Sequence, residues 1–219
     1  MSEVFDCTTP EGLAAGIEAA ARAVQSGQVV VLPTDTVYGI GCDAFDASAV
    51  TAVLAAKGRG RDMPPPVLVP NARTVDGLAR SVPPYVRHLI DRFWPGALTV
   101  VLESQPSLTW DLGDRNDTVA LRMPLHRTAL ALLESTGPLA VTSANRTGQP
   151  AATTCDEAEE QLGDAVSVYL DAGPCSGSLA STIVDVTGER PRLLRAGAIA
   201  ADQLRSVVPD LDAAEGPAA

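Results

Sequence analysis

Two short stretches of the chain gather side chains that could bind an anionic ligand. The first, Pro33 to Gly41 (PTDTVYGIG), places the hydroxyls of Thr34, Thr36 and Tyr38 around Asp35 within five residues. A helix cap needs one hydroxyl, so an ordinary strand-to-helix turn would not require this set. The stretch therefore predicts the floor of a binding site.

The second stretch, KGRGRD, carries Lys57, Arg59 and Arg61 at alternate positions. Such a cationic run is usually a solvated loop, and that interpretation remains open. Here it directly follows the helix that leaves the first stretch, and glycines separate its basic residues. We therefore favour an anion-binding role for it.

The elements that must position these residues alternate between strand and helix. Val29 to Leu32 is a continuous apolar run typical of a buried strand, and a helix is predicted from Asp46 to Ala56. In an open α/β sheet, ligands bind just beyond the carboxyl ends of strands. The polar segment between the two elements lies at such an end.

The rest of the chain continues this alternation, which predicts one α/β domain with a mixed sheet and flanking helices over residues 1–208 and a disordered tail over 209–219. The other predicted strands are Val67–Val69, Leu98–Leu102, Thr118–Met123, Leu139–Thr142, Val166–Leu170, Ser181–Val186 and Arg192–Arg195. The other predicted helices are Pro10–Ser26, Asn71–Ser81, Pro83–Phe93, Thr128–Ser135, Thr154–Leu162 and Ala200–Val207. The segment Pro106 to Asp117 is predicted to be irregular and exposed, with Trp110 as a local anchor.

Composition excludes several functional classes. The net charge of -11 argues against wholesale nucleic-acid binding, and no apolar run has the length of a membrane span. With no leader pattern at the N-terminus, the expected location is the cytoplasm. The four cysteines are widely spaced, so neither a disulfide scaffold nor a metal site is predicted. The common nucleotide-binding glycine motifs and the G-x-S-x-G motif of hydrolases do not occur.

Seven motifs follow one another along nearly the whole chain. They are PTDTVYGIG (33–41), KGR (57–59), FWPGALT (93–99), TVALRMPLH (118–126), TSANRTG (142–148), STIVD (181–185) and LLRAG (193–197). In this order they resemble the threonylcarbamoyl-AMP synthase family, the YrdC-like proteins. They suit the short, single-domain form of that family, whose fold carries a concave basic cleft.

The resemblance implies that L-threonine, bicarbonate and ATP react to give threonylcarbamoyl-AMP and pyrophosphate. The product would pass to a tRNA-modifying threonylcarbamoyltransferase complex, and weak contact with tRNA itself remains possible. ATP would be a substrate, with Mg²⁺ held mainly through its triphosphate. Since negative charge gathers on phosphates and carboxylates in this reaction, fixed cations are needed more than a protein nucleophile.

The family pattern also implies roles for individual residues. Lys57 and Arg59 match its basic phosphate-binding pair and are the candidate catalytic residues. The residues implied to bind threonine or bicarbonate are Thr34, Thr36, Tyr38, Arg122, Thr142 and Ser181. The residues implied to bind ATP, besides Lys57 and Arg59, are Thr118, Ser143, Asn145 and Arg195.

One departure from the family pattern lies just after the basic stretch. Many members carry an Asn and a His where this chain has Met63 and Leu68. Either Arg61 and Asp62 replace these polar groups, or the substrates are held differently here.

Two other functions remain as alternatives. One is a non-catalytic RNA-binding or ribosome-associated module of the same fold, which the net charge disfavours. The other is a carbamoyl-transferring domain of the hydrogenase-maturation type, which usually belongs to longer chains with zinc-binding cysteine clusters.

Overall fold

The computed structural model describes residues 2–114, 117–177 and 179–212, which form one mixed β-sheet with helices on both faces. This confirms the predicted α/β class. The ten strands of the described residues are β1 (Glu3–Asp6), β2 (Val30–Leu32), β3 (Gly39–Asp43), β4 (Val67–Leu68), β5 (Leu98–Glu103), β6 (Thr118–Arg122), β7 (Leu139–Ser143), β8 (Val168–Asp171), β9 (Thr182–Asp185) and β10 (Arg192–Arg195). Their order across the sheet is β1-β8-β2-β3-β7-β4-β6-β5-β9-β10.

The α-helices of the described residues lie mostly where the apolar periodicity predicts them. They are α1 (Pro10–Gln25), α2 (Ala47–Lys57), α3 (Val75–Leu78), α4 (Pro84–Phe93), α5 (Arg127–Thr136), α6 (Cys155–Leu162) and α7 (Ala201–Arg205). The predicted helix over Asn71–Ser81 is shorter than expected, because a 3₁₀ turn (Ala72–Thr74) precedes α3 and Ala79 is already extended.

The end of the first polar stretch, from Gly39 onward, forms a strand and does not lead directly into a helix. β3 pairs antiparallel with β2 on one side and with β7 on the other. The sequence did not predict β3, because glycine is uncommon in strands. Both of its glycines are nevertheless required for steric reasons. A Cβ on Gly39 or Gly41 would lie 2.5 Å or 2.7 Å from a methyl group of Val141 on β7. The polar segment therefore joins two adjacent antiparallel strands.

The N-terminal strand β1 was also missed. It pairs in parallel with β8 and forms one edge of the sheet. Its residues are mostly exposed, so the pattern EVFD lacks the apolar signal of a core strand.

Two apolar layers cover the two faces of the sheet. On one face, α1 and α5 pack over β2, β7 and β8. On the other face, a larger cluster includes residues of α2, α4 and α6. The first layer stops partway across the sheet, and the uncovered part of that face carries the cleft described below.

The C-terminal segment is packed at its start. Leu211 is 5% exposed and belongs to the larger apolar cluster. The backbone of Asp212 forms an isolated parallel β-bridge with that of Arg192. An apolar side chain inside the segment DLDA thus reaches the core, which the polar composition of that segment did not indicate. The remaining residues of the predicted tail, 213–219, lie outside the described residues.

The helices of the described residues do not include one long and apolar enough to cross a membrane. Nor do the described side chains form a group of three or more His, Cys, Asp or Glu that could hold a metal ion.

Candidate functional site

A cleft of about 380 Å³ opens on the face of the sheet that α1 and α5 leave uncovered. Strand alternation explains its lining, because Thr118, Ala120 and Arg122 on β6 point to one face. Thr99 and Val101 line it from β5, where Val101 lies opposite Ala120. The charged residues among the described lining are Arg59, Arg122, Arg195 and Asp62.

The turn between β2 and β3 forms one end of this cleft. Thr34 Oγ1 accepts the backbone N–H groups of Thr36 at 3.1 Å and Val37 at 3.3 Å, and it donates to the Val37 carbonyl at 2.6 Å. The Oγ1 atoms of Thr34 and Thr36 lie 3.0 Å apart. Both side chains are buried, so these bonds fix the turn and aim its hydroxyl groups.

Arg122 at the end of β6 connects this turn to the sheet. Its Nε donates to the Gly96 carbonyl at 3.0 Å, Nη1 to Thr36 Oγ1 at 3.0 Å and Nη2 to the Asp35 carboxylate at 2.6 Å. Arg122 is only 7% exposed, and burial lowers its pKa while Asp35 opposes that shift. A guanidinium has five N–H donors, so two remain for a ligand.

Arg59 and Arg195 approach the cleft from opposite sides. Arg59 Nη1 donates to Thr142 Oγ1 at 2.9 Å, and its Nε donates to the Met63 carbonyl at 2.8 Å. Arg195 Nη2 donates to Ser181 Oγ at 3.0 Å, and that hydroxyl also lies 2.8 Å from Thr99 Oγ1. Each arginine is therefore held by a side chain that itself lines the cleft.

The three arginines also act on one another. Burial lowers the pKa of Arg195, and repulsion from Arg122 and Arg59 lowers it further. Burial likewise lowers the pKa of Arg59, against which the charge of Asp62 acts. Three guanidinium groups in one cleft, two of which affect the pKa of the third, attract an anion, so the cleft is suited to a phosphate or carboxylate ligand.

Most of the residues predicted for the site come together on this surface. Those that line the cleft are Thr34, Thr36, Tyr38, Arg59, Thr118, Arg122, Thr142, Ser143, Ser181 and Arg195. The hydroxyl of Tyr38 is engaged elsewhere, because it donates to the Gly173 carbonyl at 2.6 Å.

Lys57 and Asn145 lie behind the lining. The Lys57 ammonium donates to the carbonyls of Ser143 and Asn145, and the Asn145 amide nitrogen donates to the carbonyls of Arg146 and Gln149. Neither side chain reaches the surface of the cleft. The sequence spacing that placed Lys57 beside Arg59 did not reveal this difference.

The two departures from the family pattern give the cleft an apolar wall. Met63 and Leu68 both line it. Leu68 lies opposite Arg122 in the pairing of β4 with β6, so an apolar side chain adjoins the guanidinium. Of the two proposed replacements, Asp62 lines the cleft, whereas Arg61 points to Asp111 at 2.6 Å and Asp114 at 3.2 Å.

The segment Pro106 to Asp117 contributes more than the sequence indicated. Trp110 is buried, stacks on Phe45 with ring centroids 5.4 Å apart, and donates its indole N–H to Ser104 Oγ. Two residues later Leu112 is also buried and lines the cleft. The predicted role of Trp110 as a local anchor is confirmed, whereas the exposed position predicted for the segment is wrong at Leu112. The pair Trp-x-Leu was the available signal.

Three comparisons with known proteins agree with this arrangement. The family model described as "Telomere recombination" (Sua5/yciO/yrdC) matches residues 22–197. A protein of Mycobacterium tuberculosis (strain ATCC 25618 / H37Rv), whose own name as a threonylcarbamoyl-AMP synthase is provisional, is 55% identical over 208 residues, which cover 95% of this chain and 96% of that protein. The threonylcarbamoyl-AMP synthase of Bacillus subtilis (strain 168) is 36% identical over 194 residues, which cover 88% of this chain and 56% of that protein.

A solved structure extends the likeness to the fold. The crystal structure of P. abyssi Sua5 complexed with L-threonine is 34% identical, with a TM-score of 0.84, over 90% of this chain and 58% of that one. This chain thus spans less than two thirds of the Bacillus and Pyrococcus proteins.

Proposed function

The chain belongs to the Sua5/YciO/YrdC family, and on that premise we propose that it makes threonylcarbamoyl-AMP from L-threonine, bicarbonate and ATP, with release of pyrophosphate. The observation that carries the proposal is the charge of the cleft. The chain has a net charge of -11, yet the charged residues of the described lining are three arginines and one aspartate. This local excess of positive charge suits a triphosphate beside a carboxylate.

We assign the end of the cleft at the β2–β3 turn to threonine. Arg122 has two N–H donors beyond those used by Gly96, Thr36 and Asp35, and a planar fork suits a carboxylate. Thr36, Thr142 and Ser181 line the same cleft with hydroxyl groups for the amino acid and its carbamate, while the Thr34 hydroxyl is used within the turn and holds Thr36 in place. The bound L-threonine of the Pyrococcus relative supports threonine as a ligand, and its place at this end of the cleft rests on the donors of Arg122.

We assign the remaining length of the cleft to ATP. Thr118 begins β6, four residues before Arg122, which corresponds to about 13 Å along a strand. Arg59, Arg195 and Ser143 lie along the same surface and offer charge-assisted and neutral hydrogen bonds to phosphate oxygens.

The chemistry then requires positioning more than covalent catalysis. The amine of threonine takes up bicarbonate to form a carbamate with loss of water. A carbamate oxygen attacks the α-phosphorus, and the bond to the β-phosphate oxygen breaks so that pyrophosphate leaves. Fixed arginines stabilise the charge on the phosphates during this step.

A Mg²⁺ ion fits this site only as a companion of the nucleotide. Asp62 is the carboxylate of the described lining, and one carboxylate with triphosphate oxygens and water makes a suitable oxygen donor set. The ion would neutralise part of the phosphate charge. Arg59 would balance the remainder.

Downstream, we propose that the product passes to a tRNA-modifying threonylcarbamoyltransferase complex in the cytoplasm. The names of the relatives support threonylcarbamoyl-AMP as the product, and its transfer to such a complex is the proposal.

The experiment is to incubate the purified chain with ATP, L-threonine and bicarbonate and to measure pyrophosphate and the adenylate. We expect pyrophosphate only when all three substrates are present. Omission of threonine or bicarbonate is the control, and ATP turnover that ignores threonine would contradict the proposal.

A further inference from the structure

The chain contains a single lysine, and its position is unusual for a cation. Of the 16 basic residues, 15 are arginine and one is Lys57. Lys57 is the last residue of α2 and is only 3% exposed. Long cationic side chains normally keep their charged ends in water, so a buried ammonium calls for a specific set of partners.

That set of partners is complete within the protein. The Lys57 ammonium donates to the Ser143 carbonyl, to the Asn145 carbonyl at 2.6 Å and to Asn145 Oδ1 at 3.2 Å. An ammonium has three N–H donors, and each has an acceptor here. No donor is left over for a phosphate.

The acceptors belong to the turn that follows β7. Asn145 Nδ2 donates to the carbonyls of Arg146 at 2.9 Å and Gln149 at 2.8 Å, so the amide group is fully engaged. The backbone N–H of Thr147 donates to the Lys57 carbonyl at 2.8 Å. The end of α2 therefore holds this turn at several points, and Ser143 at its start lines the cleft.

The geometry explains why a lysine occupies this position in a chain that otherwise uses arginine. A compact ammonium directs its three N–H groups tetrahedrally and meets three oxygens around one point. A planar guanidinium could not satisfy the same oxygens. The positive charge also lies at a helix C-terminus, where the helix dipole stabilises it.

We propose that Lys57 is a positioning residue, which holds the turn after β7 so that Thr142 and Ser143 face the substrates, and that it does not bind the phosphates of ATP. Arg59, two residues later, contacts Thr142 from within the cleft and carries the phosphate-binding role. The identity of the anion rests on the proposed function, whereas the role of Lys57 rests on the contacts of its ammonium.

The single lysine permits a direct test in the unaltered protein. Lysine labelled with carbon-13 gives one side-chain signal in the folded protein, which follows the titration of Lys57. Burial, reinforced by the charge of Arg59, lowers the pKa of Lys57 to about 8. We expect ATP, at a concentration that calorimetry shows to be saturating, to move the midpoint by less than about one pH unit. A direct phosphate contact would raise it by about one unit or more and would overturn the proposal.

A variant provides a second, independent measurement. Lys57→Met should speed hydrogen exchange at the amides of Asn145 and Thr147 by about tenfold or more relative to an amide in α1. Arg59→Ala is the matched variant, which should weaken ATP binding and leave those two amides as slow as in the wild type. Equal exchange in Lys57→Met and the wild type would overturn the positioning role.

These measurements separate the two proposals. If calorimetry detects no ATP binding, the proposed function fails, and hydrogen exchange in the free protein still decides the role of Lys57.

Discussion

Arg122 combines a structural task with a binding task in one side chain. Its guanidinium closes the β2–β3 turn onto the sheet through Thr36 and Asp35 and holds the Gly96 carbonyl. Only the rest of its donors can serve a ligand. A charge-conserving substitution at this position must therefore be judged on two properties, stability and ligand affinity.

We predict that Arg122→Lys weakens threonine binding by about 1.5–3 kcal/mol, or roughly ten- to hundredfold, because the two-pronged contact with the carboxylate is lost. ATP binding should stay within about threefold, since the charge remains. The melting temperature should also fall, because a compact ammonium cannot reach the separate acceptors on Gly96, Thr36 and Asp35 that the guanidinium spans. Calorimetry with each ligand on the folded variant is the measurement. Lost ATP binding with normal threonine binding would show that the two ends of the cleft are assigned in reverse.

His126 supplies a second prediction at this scale. Its Nδ1 atom is buried without a hydrogen-bond partner among the described residues, and burial lowers its pKa from the ordinary value of 6.5, against the opposing charge of Asp35. The unfolded chain therefore takes up a proton near pH 6.5 that the folded chain resists. The contribution of His126 to stability is present above that pH and is lost as the pH falls through the lowered pKa.

We expect the melting temperature of the wild type to fall more steeply than that of His126→Gln between about pH 7 and pH 5. The matched control is His88→Gln, which removes the other histidine from an exposed position on α4. Parallel curves for the wild type and His126→Gln would contradict the prediction.

At the scale of elements, the central hairpin depends on two glycines that face one valine. Val141 on β7 lies against Gly39 and Gly41 on β3, and a Cβ on Gly39 would come within 2.5 Å of its Cγ1 atom. Because Gly39 and Val141 also line the cleft, this contact helps to shape the floor on which the threonine end is built.

We predict that Gly39→Ala lowers the free energy of unfolding by about 1–3 kcal/mol through overpacking. Val141→Ala should remove the clash, so the double variant should be more stable than the sum of the two single effects by at least about 0.5 kcal/mol. Urea denaturation of all four proteins measures this coupling. Gly77→Ala, where nothing lies within 4 Å of the added carbon, is the control and should raise the free energy of unfolding by up to about 1 kcal/mol, because Gly77 lies within the helix α3. If the effects of Gly39→Ala and Val141→Ala on the free energy of unfolding were strictly additive, β3 and β7 would accommodate the added carbon by moving apart, and the prediction would be wrong.

The same contact shows why the sequence predicted some elements and not others. Runs such as Leu98–Glu103, whose residues are mostly buried, gave a clear apolar signal. Gly39–Asp43 did not, because the reason for its glycines lies on β7, about a hundred residues away. The motifs likewise predicted most of the residues that line the cleft. They did not predict that the side chain of Arg59 lines the cleft while that of Lys57 lies behind it, because this depends on side-chain direction. Spacing alone does not determine which of the two faces the cleft.

At the scale of the whole molecule, the protein is strongly negative, but the described lining of its cleft is positive. The sequence has 27 acidic and 16 basic residues, whereas the described lining of the cleft has three arginines and one aspartate. A small anion can enter the cleft without approaching the rest of the surface closely. A long polyanion such as tRNA would extend beyond the cleft over a protein whose net charge is -11, and that charge opposes binding.

This contrast separates the synthase from an RNA-binding module of the same fold. We predict that labelled tRNA shows no saturable binding tighter than the 10⁻⁴ to 10⁻⁶ M range of ordinary non-specific contacts, and that it does not displace ATP from the cleft. Fluorescence anisotropy at about 50 mM and about 200 mM salt measures the first property, and competition calorimetry measures the second. Arg59→Ala is the matched control, since it should weaken ATP binding while leaving the tRNA signal unchanged. The prediction would be contradicted if tRNA bound tightly at the lower salt concentration, lost that binding at the higher one, and bound more weakly to Arg59→Ala. Only a polyanion held by Arg59 would respond to both changes, so this result would place RNA in the cleft.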